Sequence, residues 1–137
     1  MDRSAATILV VEDHPATRIF LADNLNADGY ELLEADCASD AEQLIETRFP
    51  DLAIVDLGLP DGDGLDLLRR LRSADRVAGR VDPDLPVIVL SGRTSELDRL
   101  RGFARGCDDY LVKPLVGSFS SNRSSTRLTA KLSSSAS

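Results

Sequence analysis

The sequence predicts a doubly wound α/β domain built on a five-stranded parallel sheet. Three observations carry that expectation. Short runs of β-branched and aliphatic residues recur five times, stretches with apolar residues at helical spacing lie between them, and the runs show little polar/apolar alternation, as befits strands covered on both faces.

Thr7-Ile8-Leu9-Val10-Val11 is the first run, and it stops at Glu12-Asp13-His14 ahead of Pro15. Pro15 suits the first turn of a helix, where its missing N–H costs nothing, and Phe20, Leu21 and Leu25 give that helix an apolar face until Asp28-Gly29 ends it. Tyr30 to Ala35 is the second strand. Ala41, Leu44, Ile45 and Phe49 then repeat at helical spacing, and Pro50 marks the stop. Leu52 to Val55 form the third strand. A loop from Asp56 to Asp63, with Pro60 and Gly62 inside it and Gly64 just beyond, leads to a third helical stripe of Leu67, Leu68 and Leu71. Asp75 to Leu85 is a polar connection containing Gly79 and Pro83. Val87-Ile88-Val89-Leu90 is the fourth strand, ending at Ser91. Leu97, Leu100 and Ala104 then mark a fourth helix, and Tyr110-Leu111-Val112 a short fifth strand.

A chain of 137 residues is the size of one domain and buries one core. Its 42% hydrophobic and 28% charged residues are ordinary for a soluble globular protein, and no apolar run approaches the roughly 20 residues of a membrane span. Cys37 and Cys107 form neither a ligand spacing nor a disulfide framework and read as small buried or half-buried residues, not reactive thiols, which fits a reducing cytoplasm. All 23 acids fall within residues 1–114, whereas 3 of the 16 bases, Arg123, Arg127 and Lys131, belong to the tail, which leaves residues 1–114 at −10. Such a surface argues against nucleic-acid contact by that segment, because phosphate binding needs a basic patch.

In a doubly wound sheet, ligands sit beyond the carboxyl ends of the strands. The first strand ends in Glu12-Asp13, the third in Asp56 and the fourth in Ser91, and Lys113-Pro114 follows the fifth. A parallel sheet brings these side chains to one edge. Three carboxylates packed together repel one another, and a divalent cation removes the difficulty. Hard oxygen ligands suit Mg²⁺, which takes one or two carboxylates and shares its shell with a phosphoryl group. Asp56 is the best nucleophile, since a carboxylate forms an acyl phosphate; Lys113 and Ser91 supply the cation and hydroxyl that the transferring group calls for.

Val10-Val11-Glu12-Asp13, the stretch from Asp56 to Gly64 (Asp-Leu-Gly-Leu-Pro-Asp-Gly-Asp-Gly), Leu90-Ser91-Gly92 and the stretch from Asp109 to Pro114 together resemble the receiver domains of two-component response regulators. The likeness covers residues 7–114. It implies the flavodoxin-like receiver architecture, with Glu12, Asp13, Asp56 and the Gly58 carbonyl holding Mg²⁺, and with Asp56 accepting a phosphoryl group from a sensor histidine kinase or phosphotransfer protein. Ser91 and Lys113 would bind the phosphoryl oxygens, and Lys113-Pro114 would be a cis peptide. Ser91 and Tyr110 would act as the switch, remodelling the face of the fourth helix and fifth strand, through which a homodimer would form. The domain would be a signalling phosphoacceptor in the cytoplasm, not an enzyme acting on other substrates, with no membrane contact.

Blander readings compete at single positions. Asp13-His14-Pro15 alone reads as a helix N-cap, Asp56 alone as the start of a turn, and Tyr110 as a half-buried aromatic; His14 has no ligand-type partner and reads as exposed. An aspartyl-phosphate phosphatase of the haloacid dehalogenase type needs a second Asp two residues past the first, where this chain has Gly58. A nucleotide binder needs a glycine- or hydroxyl-rich loop where Glu12-Asp13-His14-Pro15 stands. The stronger rival is a degenerate receiver used as a phosphorylation-independent interaction module, against which the presence of all five site positions speaks. Receivers end in a fifth amphipathic helix, but 9 of the 23 residues in 115–137 are serine, a weak helix former. Residues 1–114 are therefore expected to be the domain, and 115–137 a Ser-rich tail, a short helix or disordered.

Overall fold

A computed structural model of the chain describes residues 6–74, 82–92 and 107–113. In chain order the elements are β1 (Thr7–Val11), α1 (Pro15–Ala27), β2 (Glu31–Ala35), α2 (Ala38–Arg48), β3 (Leu52–Asp56), β4 (Gly58–Leu59), β5 (Gly62–Asp63), α3 (Gly64–Arg72), β6 (Val87–Ser91) and β7 (Asp109–Val112). The expected fourth helix, Pro114 with its peptide bond, and the tail 115–137 lie outside the described residues.

The main sheet has five strands in the order β2-β1-β3-β6-β7, and every pairing is parallel. This is the doubly wound arrangement expected, with the order reversing at β1 and β3. Burial explains the composition of the strands. β3 and β6 are buried at every position, whereas edge strand β2 exposes Glu31 and Glu34. Alternate strand residues point to opposite faces of the sheet, so the single core expected is divided into two clusters. Leu9, Val11, Ala53, Val55, Val87 and Val89 pack with Ala41 and Ile45 of α2 and with Leu67, Leu68 and Leu71 of α3. Ile8, Val10, Leu52, Ile54, Ile88 and Leu90 pack with Leu21 and Leu25 of α1 and with Leu111.

Helix ends follow local chemistry. Pro15 opens α1, and the chain leaves that helix through Asp28 and Gly29, the latter at φ 93. α2 begins three residues ahead of Ala41, the first position in its expected apolar stripe, and its N-cap residue Cys37 makes no side-chain capping bond. Phe49 departs from expectation. Its spacing places it on the apolar face of this helix, but Pro50 disfavours a right-handed conformation before it, and Phe49 instead caps α2 at φ 48 and ψ 62 with 66% of its surface exposed.

The loop after β3 is more ordered than its composition suggests. β4 and β5 pair antiparallel, Gly58 with Asp63 and Leu59 with Gly62, so Pro60-Asp61 forms the tip of a tight hairpin. Gly64, which follows, is obligatory: a Cβ there would lie 2.4 Å from the Asp56 carbonyl oxygen. Its N–H donates to the Leu57 carbonyl at 2.9 Å, which closes the hairpin's base against β3. At the opposite end of the sheet, Arg72 donates to the Pro83 and Leu85 carbonyls at 2.9 and 2.7 Å and pairs with Asp108, whose carboxylate also accepts the Val87 N–H. One guanidinium thus fixes the entries to β6 and β7.

Candidate functional site

Strand register assembles the site. Val11 aligns with Val55, Asp56 with Leu90, and Ser91 with Val112. Glu12, Asp56, Ser91 and Lys113 therefore step along one edge of the sheet. The backbone pairing continues past the strands: the Glu12 N–H donates to the Ala35 carbonyl at 2.9 Å and the Lys113 N–H to the Ser91 carbonyl at 2.8 Å.

Lys113 Nζ lies 2.6 Å from Glu12 Oε1 and 3.1 Å from Asp56 Oδ2, so one ammonium spans the two carboxylates. Glu12 and Ser91 are wholly buried and Asp56 nearly so, while Asp13 is exposed beside them. Glu12 Oε2 accepts the His14 N–H at 3.1 Å, and Asp56 Oδ1 accepts the Gly58 N–H at 3.3 Å. Arg18 on α1 donates to the Glu12 carbonyl at 3.0 Å and faces Glu34 at 3.5 Å, which ties α1 to the ends of β1 and β2.

The electrostatics are unbalanced. Burial, helped by the Asp56 carboxylate, pushes Glu12 up to about 7 despite the opposing pull of Lys113 and the His14 N–H. Burial alone would lower the Lys113 ammonium, but contact with Glu12 and Asp56 outweighs it and holds that group above the ordinary lysine value. Glu12 Oε1 is fully buried and faces the Lys113 ammonium at 2.6 Å. A buried carboxylate oxygen in that state suits a cation. Ligand oxygens of Glu12, Asp13 and Asp56 all lie within 4.8 Å of one another, close enough to share one hydrated divalent ion. Gly58 leaves open space beside Asp56, since a Cβ there would meet nothing within 4 Å.

The structure thus gathers Glu12, Asp13, Asp56, Gly58 and Lys113, with Ser91 at the end of the neighbouring strand. Tyr110 is half-buried on β7 and packs against the core on the α2 and α3 side. His14 is exposed and serves as the N-cap of α1 without a side-chain capping bond. Both cysteines are half-buried, although Cys37 stands with Asp36 and Asp40 in a second, more exposed group of ligand-type atoms. Sequence reasoning missed Asp61, whose carboxylate accepts the Ala38 and Ser39 N–H groups at 2.8 and 3.0 Å. Pro60-Asp61-Gly62 signals a turn, but nothing in it names a partner 22 residues or more away.

Comparison with known proteins bears on this edge of the sheet. The family model described as the response regulator receiver domain matches residues 8–118. The KDP operon transcriptional regulatory protein KdpE of Escherichia coli is 45% identical over 107 residues, which cover 78% of this chain and 44% of that protein. The chain therefore spans less than half the length of such a relative. The non-phosphorylated HemR receiver domain of Leptospira biflexa superposes with a TM-score of 0.74 at 31% identity, covering 93% of this chain and 94% of that one. The response regulator TrrA of Thermotoga maritima, solved in complex with Mg²⁺-BeF, superposes with a TM-score of 0.75 at 25% identity, covering 92% and 98%. No helix among the described residues is long and apolar enough to cross a membrane. The chain belongs to the response regulator receiver domain family, the signalling domains of two-component systems.

Proposed function

We propose that this domain is a Mg²⁺-dependent phosphoacceptor that takes a phosphoryl group from the phosphohistidine of a sensor histidine kinase, or of a phosphotransfer protein, onto Asp56. The observation that carries the proposal is Lys113 Nζ, placed 2.6 Å from Glu12 and 3.1 Å from Asp56 at the carboxyl edge of the sheet. A cation fixed between the metal-binding acid and the acceptor is what an incoming phosphoryl group needs.

Glu12, Asp13, Asp56 and the Gly58 carbonyl would hold Mg²⁺. When bound, the ion neutralises charge on the phosphoryl oxygens. The chain's own residues do the rest. An Asp56 carboxylate oxygen attacks phosphorus, the bond from phosphorus to the imidazole nitrogen breaks with its electron pair staying on the ring, and an acyl phosphate forms. Lys113 keeps its proton and turns from the acceptor carboxylate toward a phosphoryl oxygen, while the Ser91 hydroxyl donates to another. Movement of Ser91 and inward rotation of Tyr110 then remodel the face to which β7 contributes, the surface we assign to pairing with a second copy. We place the domain in the cytoplasm; DNA contact, a matter for the transcriptional relatives, is not assigned to residues 1–114, whose charge is strongly acidic.

Intact-mass measurement with acetyl phosphate and Mg²⁺ tests the proposal. The native chain should gain one phosphoryl group, as a single acceptor carboxylate dictates, and Asp56→Asn should gain none. Equal labelling of the two would remove Asp56 from its role. A native chain that neither labels nor binds beryllofluoride with Mg²⁺ would be an interaction module working without phosphorylation.

A further inference from the structure

The hairpin that carries Gly58 is held at both ends by different means. Its base is fixed by the backbone: the Leu57 N–H donates to the Leu90 carbonyl at 3.1 Å and the Gly64 N–H to the Leu57 carbonyl at 2.9 Å. Its tip is fixed by a side chain. Both carboxylate oxygens of Asp61 receive the first free amides of α2, from Ala38 at 2.8 Å and Ser39 at 3.0 Å, and the helix's own N-cap residue, Cys37, makes no capping bond. The helix is thus capped by a residue from the acceptor loop. We propose that Asp61 is a positioning residue, which sets Gly58 and through it the Mg²⁺ shell by anchoring the β4–β5 hairpin to the first turn of α2.

This rests on the proposed function, because Gly58 matters only where its backbone meets the metal and the acceptor. The Gly58 N–H already reaches Asp56 Oδ1, so displacement of the hairpin is felt at the acceptor itself. The amides of Ala38 and Ser39 hold the Asp61 carboxyl below the usual carboxylate range, so it remains a charged double acceptor at neutral pH.

A purely structural cap can be separated from a positioning role, because Cys37 has the extended backbone of an N-cap, φ −154 and ψ 165, and accepts a serine there. The full chain would be compared as native, Asp61→Ala, Asp61→Asn and Asp61→Ala/Cys37→Ser. Mg²⁺ affinity is read by calorimetry with the metal alone, and amide exchange of Leu59 and Gly62 is read in metal-free buffer. Asp61→Ala should weaken Mg²⁺ binding roughly tenfold, the usual effect of losing a group that orients a ligand, and should speed exchange at the hairpin. Asp61→Asn should recover part of both. The double variant should regain thermal stability through its new cap while its Mg²⁺ affinity stays low. Native affinity in Asp61→Ala, or in the double variant, overturns the proposal; if Asp61→Ala does not fold, native affinity in Asp61→Asn with native hairpin exchange does the same. A native chain that binds Mg²⁺ without accepting phosphate refutes the proposed function and leaves the Asp61 comparison readable. One that binds no Mg²⁺ overturns both.

Discussion

Lys113 faces Glu12 at 2.6 Å and Asp56 at 3.1 Å, so one ammonium serves two buried carboxylates, and the surplus negative charge decides how each residue responds to replacement. Taking away a carboxylate relieves repulsion. In metal-free buffer at pH 8, Asp56→Asn should raise stability by about 1 kcal/mol, the order expected when one of two crowded like charges is made neutral. Taking away the ammonium does the opposite. Lys113→Met should cost on the order of 3 kcal/mol, as when one partner of a buried ion pair is left alone. Both shifts should shrink at pH 5, where Glu12, with its pKa pushed up to about 7, is already protonated. Urea melts of the two variants at both pH values check this, and equal signs for the two variants would contradict a surplus of negative charge at this edge.

At the scale of single elements, the end of α2 holds the clearest conflict between local preference and structure. Phe49 sits in the left-handed region at φ 48, which costs roughly 1–2 kcal/mol for a residue with a bulky side chain. The strain is barely offset by packing, because 66% of the residue is exposed. Asn tolerates this conformation and keeps a Cβ, so it gains relief without the full unfolded-state entropy that Gly would add. Phe49→Asn should therefore stabilise the domain by about 0.5–1 kcal/mol, seen as a higher urea midpoint at unchanged slope; a lower midpoint would mean that the ring makes contacts worth more than the strain. In the sequence Pro50 points to this break, while the four-residue spacing of Phe49 from Ile45 points to a continued helical face. Strands were more legible. Thr7–Val11 matches its expected limits, because a β-branched run flanked by acids and proline has few alternatives. The hairpin of β4 and β5 was not legible, since two-residue strands are too short to show alternation. Convergence of Glu12, Asp56, Ser91 and Lys113 followed from strand ends alone. The grip of Asp61 on α2 did not, because it depends on how far apart two connections lie in space.

For the whole molecule, the same buried acid couples folding to both protons and metal. An ordinary Glu ionises near 4.5, but Glu12 in the folded chain holds its proton up to about 7. Between those values the native state binds a proton that the unfolded chain has released, so stability falls as pH rises through that window and levels off above it. Lys113 acts in a different range. Its raised pKa means that its stabilising charge is fully present at neutral pH and is lost only in strong alkali, so it does not mask the Glu12 effect. Mg²⁺ requires the ionised carboxylate and binds only the assembled edge, so it should restore at pH 8 what ionisation removes. At a concentration 100 times its dissociation constant, a ligand specific to the native state adds about 2.7 kcal/mol. The expected outcome is a melting temperature in EDTA that declines from pH 5 to pH 8, and a Mg²⁺-induced increase that is small at pH 5 and grows with a midpoint close to 7. Thermal melts across this range, with and without the metal, measure both curves. A Mg²⁺ increment independent of pH would mean that the ion does not bind at Glu12, and a flat EDTA curve would mean that this carboxylate is ionised throughout.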